Sequence, residues 1–535
     1  VELVAFALSF LVLIANGRAI GSGDTNAMEK TAAALAQHRS VVLPDPGTAD
    51  PFTRGVPGGR VSIYPVLPAL LSAPIFFVFG LRFDLNLTGV QIAGKLSAAF
   101  FASVAIALLA RTFSRRASPR VALTSALLIG LGTSVYATAQ ALWQHPVVLF
   151  FLVIALDALE QLDEGQTFDP HPSAGLAALA LSLAAACRPA VIPMCATLFV
   201  YLLSRAREKA VQIIVAAAVP ALMVGAYNAT LFGAPWRFGP EGLGGRFFAA
   251  LPGSLGGLLV SPARGLLVFS PIVFVALWGL LGQGRRSFAR ILMASAGVHF
   301  AFIACWNEWH GGESFGPRML TDLVPPLFFF LPEGLTALPR TGAILGAASI
   351  AIQLLGGWTY DYRWERLHQR DRDFDSALWS WSDSPLAFAA REGVIIQGVP
   401  EVEGRRIRLR LSRVVPFGPQ GSTIEGTAAG LRIGGVPLVR DVRLERGARM
   451  DGSWISLSHP QDAVAFRMGS AGASRLRLVG SIDGLLRIET ASTSTPLRSS
   501  GDFDLDVPFP MSAREDVYVR ADTGELRLAR IEIRP

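Results

Sequence analysis

Charge and cysteine are scarce in this sequence. Only 17% of its 535 residues are charged, against 51% that are hydrophobic, and the mean hydropathy is +0.43. A water-soluble chain of that length needs far more charge to cover its surface, which excludes a wholly soluble enzyme. The three cysteines, Cys187, Cys195 and Cys305, all fall in or beside apolar runs, so no disulfide framework supports the last third of the chain. No Cys/His metal spacing and no Gly-x-Ser-x-Gly elbow occurs. The net charge of +7 does not imply nucleic acid as a partner. Much of the excess sits in short loops between apolar runs, where the positive-inside rule places it.

What the chain has is apolar length. Runs of about 18 or more apolar residues recur from the N-terminus to about residue 358, and these read as bilayer spans. The first, at 3–15, lacks a convincing small-x-small cleavage site and is expected to be an uncleaved helix. A long polar loop reaches about Arg60. Gly59–Gly80 follows, apolar but broken by prolines, and is expected to lie along the membrane surface. Further spans are expected at about 90–111, 121–138, 146–162, 173–187, 190–204, 209–228, 264–282, 288–305, 318–337 and 342–358, about eleven in all. Basic turns at Arg111–Arg120, Arg205–Lys209 and Arg285–Arg290 mark the cytoplasmic side, while the acidic stretch Gln161–His171 disagrees with that phase. The outer loops are then 17–64, 229–262 and 306–318. An odd number of spans puts the C-terminal end outside.

Residues 359–390 read as a linker. Beyond it, segments such as Arg405–Val415 and Arg475–Thr490 alternate apolar and polar residues at period two. The fold class expected is therefore a polytopic α-helical membrane domain, residues 1–358, with a C-terminal all-β sandwich of jelly-roll type, residues 391–535.

Several ionisable groups collect on the outer side. Asp24 lies among small residues just past the first run. Ala141–Pro146 offers Gln144 and His145, and Arg188 stands at a Pro-broken turn. Arg264 sits at the mouth of a span, and Trp306–Leu320 packs Glu308, His310, Glu313 and Arg318 around a Gly-Gly turn. Such groups near hydrocarbon cost roughly 2.5–3.5 kcal/mol each on insertion scales, so several on one side imply use. Arg and His beside an apolar groove suit a phosphate whose lipid tail stays in the bilayer. An Asp within reach suits deprotonation of an acceptor hydroxyl. Together they describe sugar transfer from a polyprenyl-phosphate donor, with one base, direct attack and inversion. A flippase of lipid-linked sugars would carry the same cargo without chemistry, but its polar groups belong at the midplane of repeated halves, and no repeat is evident. A glycan-binding scaffold would not need so many spans.

Over about residues 1–358 the chain resembles the GT-C superfamily of membrane glycosyltransferases, near its dolichyl-phosphate-mannose protein mannosyltransferase-like and aminoarabinose-transferase-like branch. The likeness rests on Gly23-Asp24-Thr25, Tyr64-Pro65, ALWQHP at Ala141–Pro146, Arg188-Pro189 and GGESFGPR before a Pro-rich span. It implies that Asp24 is the catalytic base or assists a metal, and that Arg188 and Arg318 hold the lipid phosphate. His145, Arg264, Glu308 and His310 are the further substrate-binding candidates. No second acid adjoins Asp24, unlike the paired-acid members, which leaves a divalent ion (Mg or Mn) an open cofactor. The implied partners are a polyprenyl-phosphate sugar, membrane lipid and a glycan, lipid or protein acceptor. The implied location is the inner (plasma) membrane, with the site and C-terminal domain on the periplasmic or extracellular face. DRDFD (Asp371–Asp375) and DFDLD (Asp502–Asp506) imitate the DxD of nucleotide-sugar transferases but follow no Rossmann-like strand, and GQGRRS (Gly282–Ser287) is a basic turn, not a dinucleotide loop.

Overall fold

A computed structural model describes residues 1–44, 51–163, 173–237, 247–248 and 250–360, and most of the chain from there to 534 apart from short stretches. The chain forms two compact units. One comprises Val1–Glu365, Asp375–Leu386 and Val399–Arg410, the other Arg366–Phe374, Ala387–Gly398 and Leu411–Pro535.

The first unit is helical. Helix α1 (Glu2–Ile14) leads to α2 (Gly23–His38), a hairpin of β1 (Thr53–Val56) and β2 (Gly59–Ser62), and α3 (Leu67–Arg82). Next come α4 (Leu87–Ser114), α5 (Pro119–Leu131), α6 (Ser134–Thr138), α7 (Gln144–Asp163), α8 (Ser173–Cys187), α9 (Ile192–Arg205) and α10 (Ala210–Phe232). Then follow α11 (Gly253–Val260), α12 (Leu266–Phe269), α13 (Val273–Gly282) and α14 (Ser287–Cys305). A 3-10 turn (Arg318–Leu323), α15 (Val324–Phe328), α16 (Leu331–Ala337) and α17 (Pro339–Thr359) complete the unit's helices to residue 359. Among the described residues five helices are long and apolar enough to cross a membrane: Thr88–Ser114, Gln144–Asp163, Arg207–Phe232, Ser287–Cys305 and Pro339–Thr359. α10 leaves Val211, Leu222 and Met223 exposed, as a lipid-facing helix does.

Three expectations need correction. The loop expected up to Arg60 contains α2. Ser22 caps it by accepting from the Asp24 N–H at 3.3 Å, and Thr25 returns the bond by accepting from the Ser22 N–H at 3.0 Å, a capping box ahead of an Ala-rich run. The spans expected as continuous at 121–138, 264–282 and 318–337 are broken, at Gly132-Thr133, at Ser270-Pro271 and at the 3-10 turn. Thr133 caps a new helix through the Val135 N–H, and Pro271 has no N–H to continue one. Part of the outer stretch 229–262 forms α11, while 238–246 lie outside the described residues.

The acidic stretch that broke the charge phase lies largely outside the described residues too, at 164–171. Its start is explained by pairing. Asp163 takes Arg205 at 2.6 Å, Arg115 lies 2.7 Å from Asp157 and 2.9 Å from Glu160, and Arg116 bonds Glu160 and Glu333. Carboxylates stand among the basic turns as their counter-charges.

In the C-terminal β region, β3 (Val394–Glu403) and β4 (Arg406–Val415) pair with each other; Arg405 lies outside the described residues. β5 (Ser422–Thr427), β6 (Gly430–Gly435), β7 (Val439–Glu445), β8 (Arg449–Asp451), β9 (Trp454–Leu457), β10 (Ala463–Met468), β11 (Arg475–Glu489), β12 (Ser494–Pro508), β13 (Asp516–Thr523) and β14 (Leu526–Arg534) form one antiparallel network, ordered β6-β5-β14-β11-β13-β10-β7. β12 runs along β11, and β9 pairs with β14 and β8. Leu476, Leu478, Ile482, Leu486 and Ile488 of β11 keep period two into the core. In β14 the inward set shifts from Leu526 and Leu528 to Ile531 and Ile533, because a bulge at Ala529 adds one residue. Asp504 and Asp506 of DFDLD bond Arg477 (2.6 Å) and Arg475 (3.1 Å) across the strand pair. They are cross-strand partners.

Candidate active site

Asp24 occupies the first turn of α2, and its carboxylate meets a residue 294 positions away. Arg318 Nη1 donates to Asp24 Oδ2 at 3.0 Å, and Nη2 donates to the Gly311 carbonyl at 2.5 Å. The Arg318 guanidinium lies 4.0 Å from the Trp143 ring centroid, which holds it by cation–π attraction. Tyr64, just past β2, stands close enough for the Asp24 charge to act on its hydroxyl. Burial and then the Asp24 charge push that hydroxyl's pKa up, while Arg318 and Arg188 act in the opposite sense. Asp24, Tyr64, Arg318 and Arg188 therefore share one electrostatic neighbourhood.

Two clefts open beside them. One, of about 370 Å³, is lined by Gln140, Trp143, Glu313, Arg318, Tyr360 and Tyr362 among others. The other, of about 300 Å³, has Tyr64, Val224, Tyr227 and Phe232 in its wall.

The turn that carries Gly311 has left-handed backbone at Gly311 (φ 75°) and Gly312 (φ 63°), which the Gly-Gly pair permits. His310 sits at its start. Its Nδ1 accepts from the Gly312 N–H at 3.1 Å, and its Nε2 is 3.5 Å from Oε2 of the half-exposed Glu308. Burial, with the charges of Arg264 and Arg318, lowers the His310 pKa from 6.5 to about 4. With its Nδ1 accepting from the Gly312 N–H, a neutral His310 ring presents an Nε2–H donor.

Arg264 has a different task from the one expected. It is fully buried, and each of its three side-chain nitrogens donates to protein. Nε bonds the His310 carbonyl, Nη1 the Ala263 carbonyl and Nη2 the Gly312 carbonyl, all at 2.9 Å, and Nη2 also pairs with Glu365 at 2.8 Å. The residue braces the Gly-Gly turn from behind.

His145 is not at the water-exposed end of α7 but buried in its first turn, with Nδ1 2.9 Å from Asp322 Oδ1. Asp322 Oδ2 lies 2.8 Å from Arg188 Nε and 3.9 Å from His299 Nε2. Sequence reasoning missed Asp322, although an acid inside the span expected at 318–337 is itself a signal. It also missed Trp143, which stands within ALWQHP, and the hydroxyl of Tyr64.

The residues do not fit a resident divalent metal. Among the described residues no group of three or more His, Cys, Asp or Glu converges, and Asp24 takes a guanidinium, which competes with a cation for its oxygens.

No family model and no curated protein matches the chain. Among solved structures it is similar to ArnT from Cupriavidus metallidurans bound to undecaprenyl phosphate, at 14% identity over 70% of each chain with a TM-score of 0.44. It is similar to the arabinofuranosyltransferase AftD from Mycobacteria, at 12% identity over 99% of this chain and 58% of that one, TM-score 0.42. The archaeal oligosaccharyltransferase AglB from Archaeoglobus fulgidus, in complex with an inhibitory peptide and a dolichol-phosphate, is similar at 11% identity over 65% of this chain and 56% of that one, TM-score 0.39.

Proposed function

We propose that the chain is a membrane glycosyltransferase that moves a sugar from a polyprenyl-phosphate donor to an acceptor hydroxyl on the exoplasmic side, with inversion. The observation that carries this reading is the Asp24–Arg318 pair at 3.0 Å, beside a cleft that Arg318 lines with Trp143, Tyr360 and Tyr362. Asp24 takes the proton from the acceptor hydroxyl. The hydroxyl oxygen bonds to the anomeric carbon as the bond from that carbon to the phosphate oxygen breaks. The electron pair leaves with the polyprenyl phosphate, whose growing charge Arg188 and Arg318 stabilise in place of a general acid. Arg318 holds the Asp24 carboxylate where it takes that proton. Glu308 and His310 lie at the rim toward substrate, and His145 and Arg264 support the site from within. The catalytic domain is residues 1–358 and the linker 359–390. Residues 391–535 form a β-sandwich that faces the same side of the inner membrane.

The test is reconstitution with a polyprenyl-phosphate sugar, reading release of the lipid phosphate. Asp24→Asn is expected to abolish release while donor still binds. Undiminished turnover by that variant would remove the proposed base, and passage of intact lipid-sugar across the vesicle without release would replace the enzyme by a flippase.

A further inference from the structure

We propose that Asp322 is a positioning residue of the donor site: its buried carboxylate places its charge on the Nε side of the Arg188 guanidinium, so that the two terminal nitrogens are presented to the phosphate. This rests on the transferase reading above. Arg188 caps the 3-10 turn Pro189–Val191, and its side chain reaches toward α7 and the Arg318–Leu323 turn. Its Nε lies 2.8 Å from Asp322 Oδ2, an ion pair whose side chains are 12% and 1% exposed; the contact is one of charge, since among the described residues neither of these two buried atoms has an aligned hydrogen-bond partner. The terminal nitrogens make only long contacts, Nη1 to Gln144 Oε1 at 3.4 Å and Nη2 to Met319 Sδ at 3.6 Å. A guanidinium whose counter-charge sits on its Nε side leaves its two terminal nitrogens to donate to a bidentate anion.

Asp322 is itself held. His145 Nδ1 meets its other oxygen at 2.9 Å, and His299 stands 3.9 Å from Oδ2. The carboxylate is therefore anchored through Oδ1, and its charge draws the Arg188 guanidinium to one side of the site. Asp322 also shares its six-residue 3-10 turn with Arg318, the partner of Asp24. One short segment thus sets both the arginine that orients the base and, through Asp322, the arginine that meets the leaving group.

The experiment measures binding of undecaprenyl phosphate to the full chain in lipid nanodiscs, for wild type, Asp322→Asn, Arg188→Ala and the double variant. Asp322→Asn is expected to weaken binding at least about tenfold, and the double variant to bind no more weakly than Arg188→Ala alone, since both act through one guanidinium. Wild-type affinity in a folded Asp322→Asn, or losses that multiply in the double variant, would overturn the assignment. If Asp322→Asn does not fold, Asp322→Glu enters the same cycle under the same expectations, because it keeps the charge and moves the oxygens by one methylene. A wild type that binds no polyprenyl phosphate overturns the transferase reading, and this inference with it.

Discussion

At the residue scale the site is a set of side chains that limit one another. Asp24 is held by Arg318, whose Nη1 donates to its carboxylate at 3.0 Å. A hydrogen bond to a charged group contributes about 1.5–3 kcal/mol. Arg318→Gln is expected to lower kcat at least about tenfold, and undiminished turnover would contradict the orienting role of its guanidinium. His310 confers a pH dependence of definite sign. Its folded pKa of about 4 lies below the ordinary histidine value of 6.5, so the unfolded chain binds more protons between those values. Its contribution to stability is complete above pH 6.5 and is lost as pH falls toward 4, at up to about 1.4 kcal/mol per pH unit. Glu29, raised by burial to about 8, has the opposite slope: its contribution is complete below 4.5 and lost as pH rises through 8. The measurement is therefore a difference. Wild type in detergent should lose more melting temperature than His310→Gln between pH 7 and pH 5, and equal losses would refute the buried neutral imidazole.

At the element scale, small residues decide how closely helices approach. α13 and α16 meet at Gly279 and Gly334, where a Cβ on Gly279 would run into the Phe330 carbonyl and one on Gly334 into the Val275 carbonyl. Backbone cannot swing aside as a side-chain end does. Gly334→Ala is expected to cost about 1–3 kcal/mol of stability, read as a lower melting temperature in detergent, and a neutral result would place slack in that contact. The same scale shows why α2 is hard to read from sequence. It mixes Asp24, Asn26, Glu29 and Lys30 with small residues, so no long apolar run marks it. Its helix signal lies instead in capping chemistry, Ser22-Gly23-Asp24-Thr25 followed by Ala32, Ala33 and Ala34. Helices α4, α7 and α14 are legible because length and apolarity alone mark them. The breaks at Thr133 and Pro271 are legible only as local exceptions within apolar runs.

At the scale of the whole molecule, the proposed sidedness can be tested directly. In intact cells, with Cys305 replaced by Ser, a cysteine placed at Glu308 should react with a membrane-impermeant thiol reagent, and one placed at Arg120 should not. The reverse pattern would put Asp24 in the cytosol and end the polyprenyl-phosphate account. Cys187 and Cys195 are buried and add little background.

What the sequence determined by itself is the division of the chain into an apolar helical part and an alternating β part, because hydrophobic period and run length are local properties. It also marked Asp24, Arg188 and Arg318 as charges where charge is costly. Only the tertiary structure decided which of them meet. Arg188 and Arg264 look alike in sequence, each an arginine at the mouth of an apolar run. Yet one keeps its terminal nitrogens loosely held, and the other is saturated by Glu365 and three carbonyls. That difference comes from partners far along the chain, Asp322 for Arg188 and Glu365 for Arg264, which no local pattern encodes.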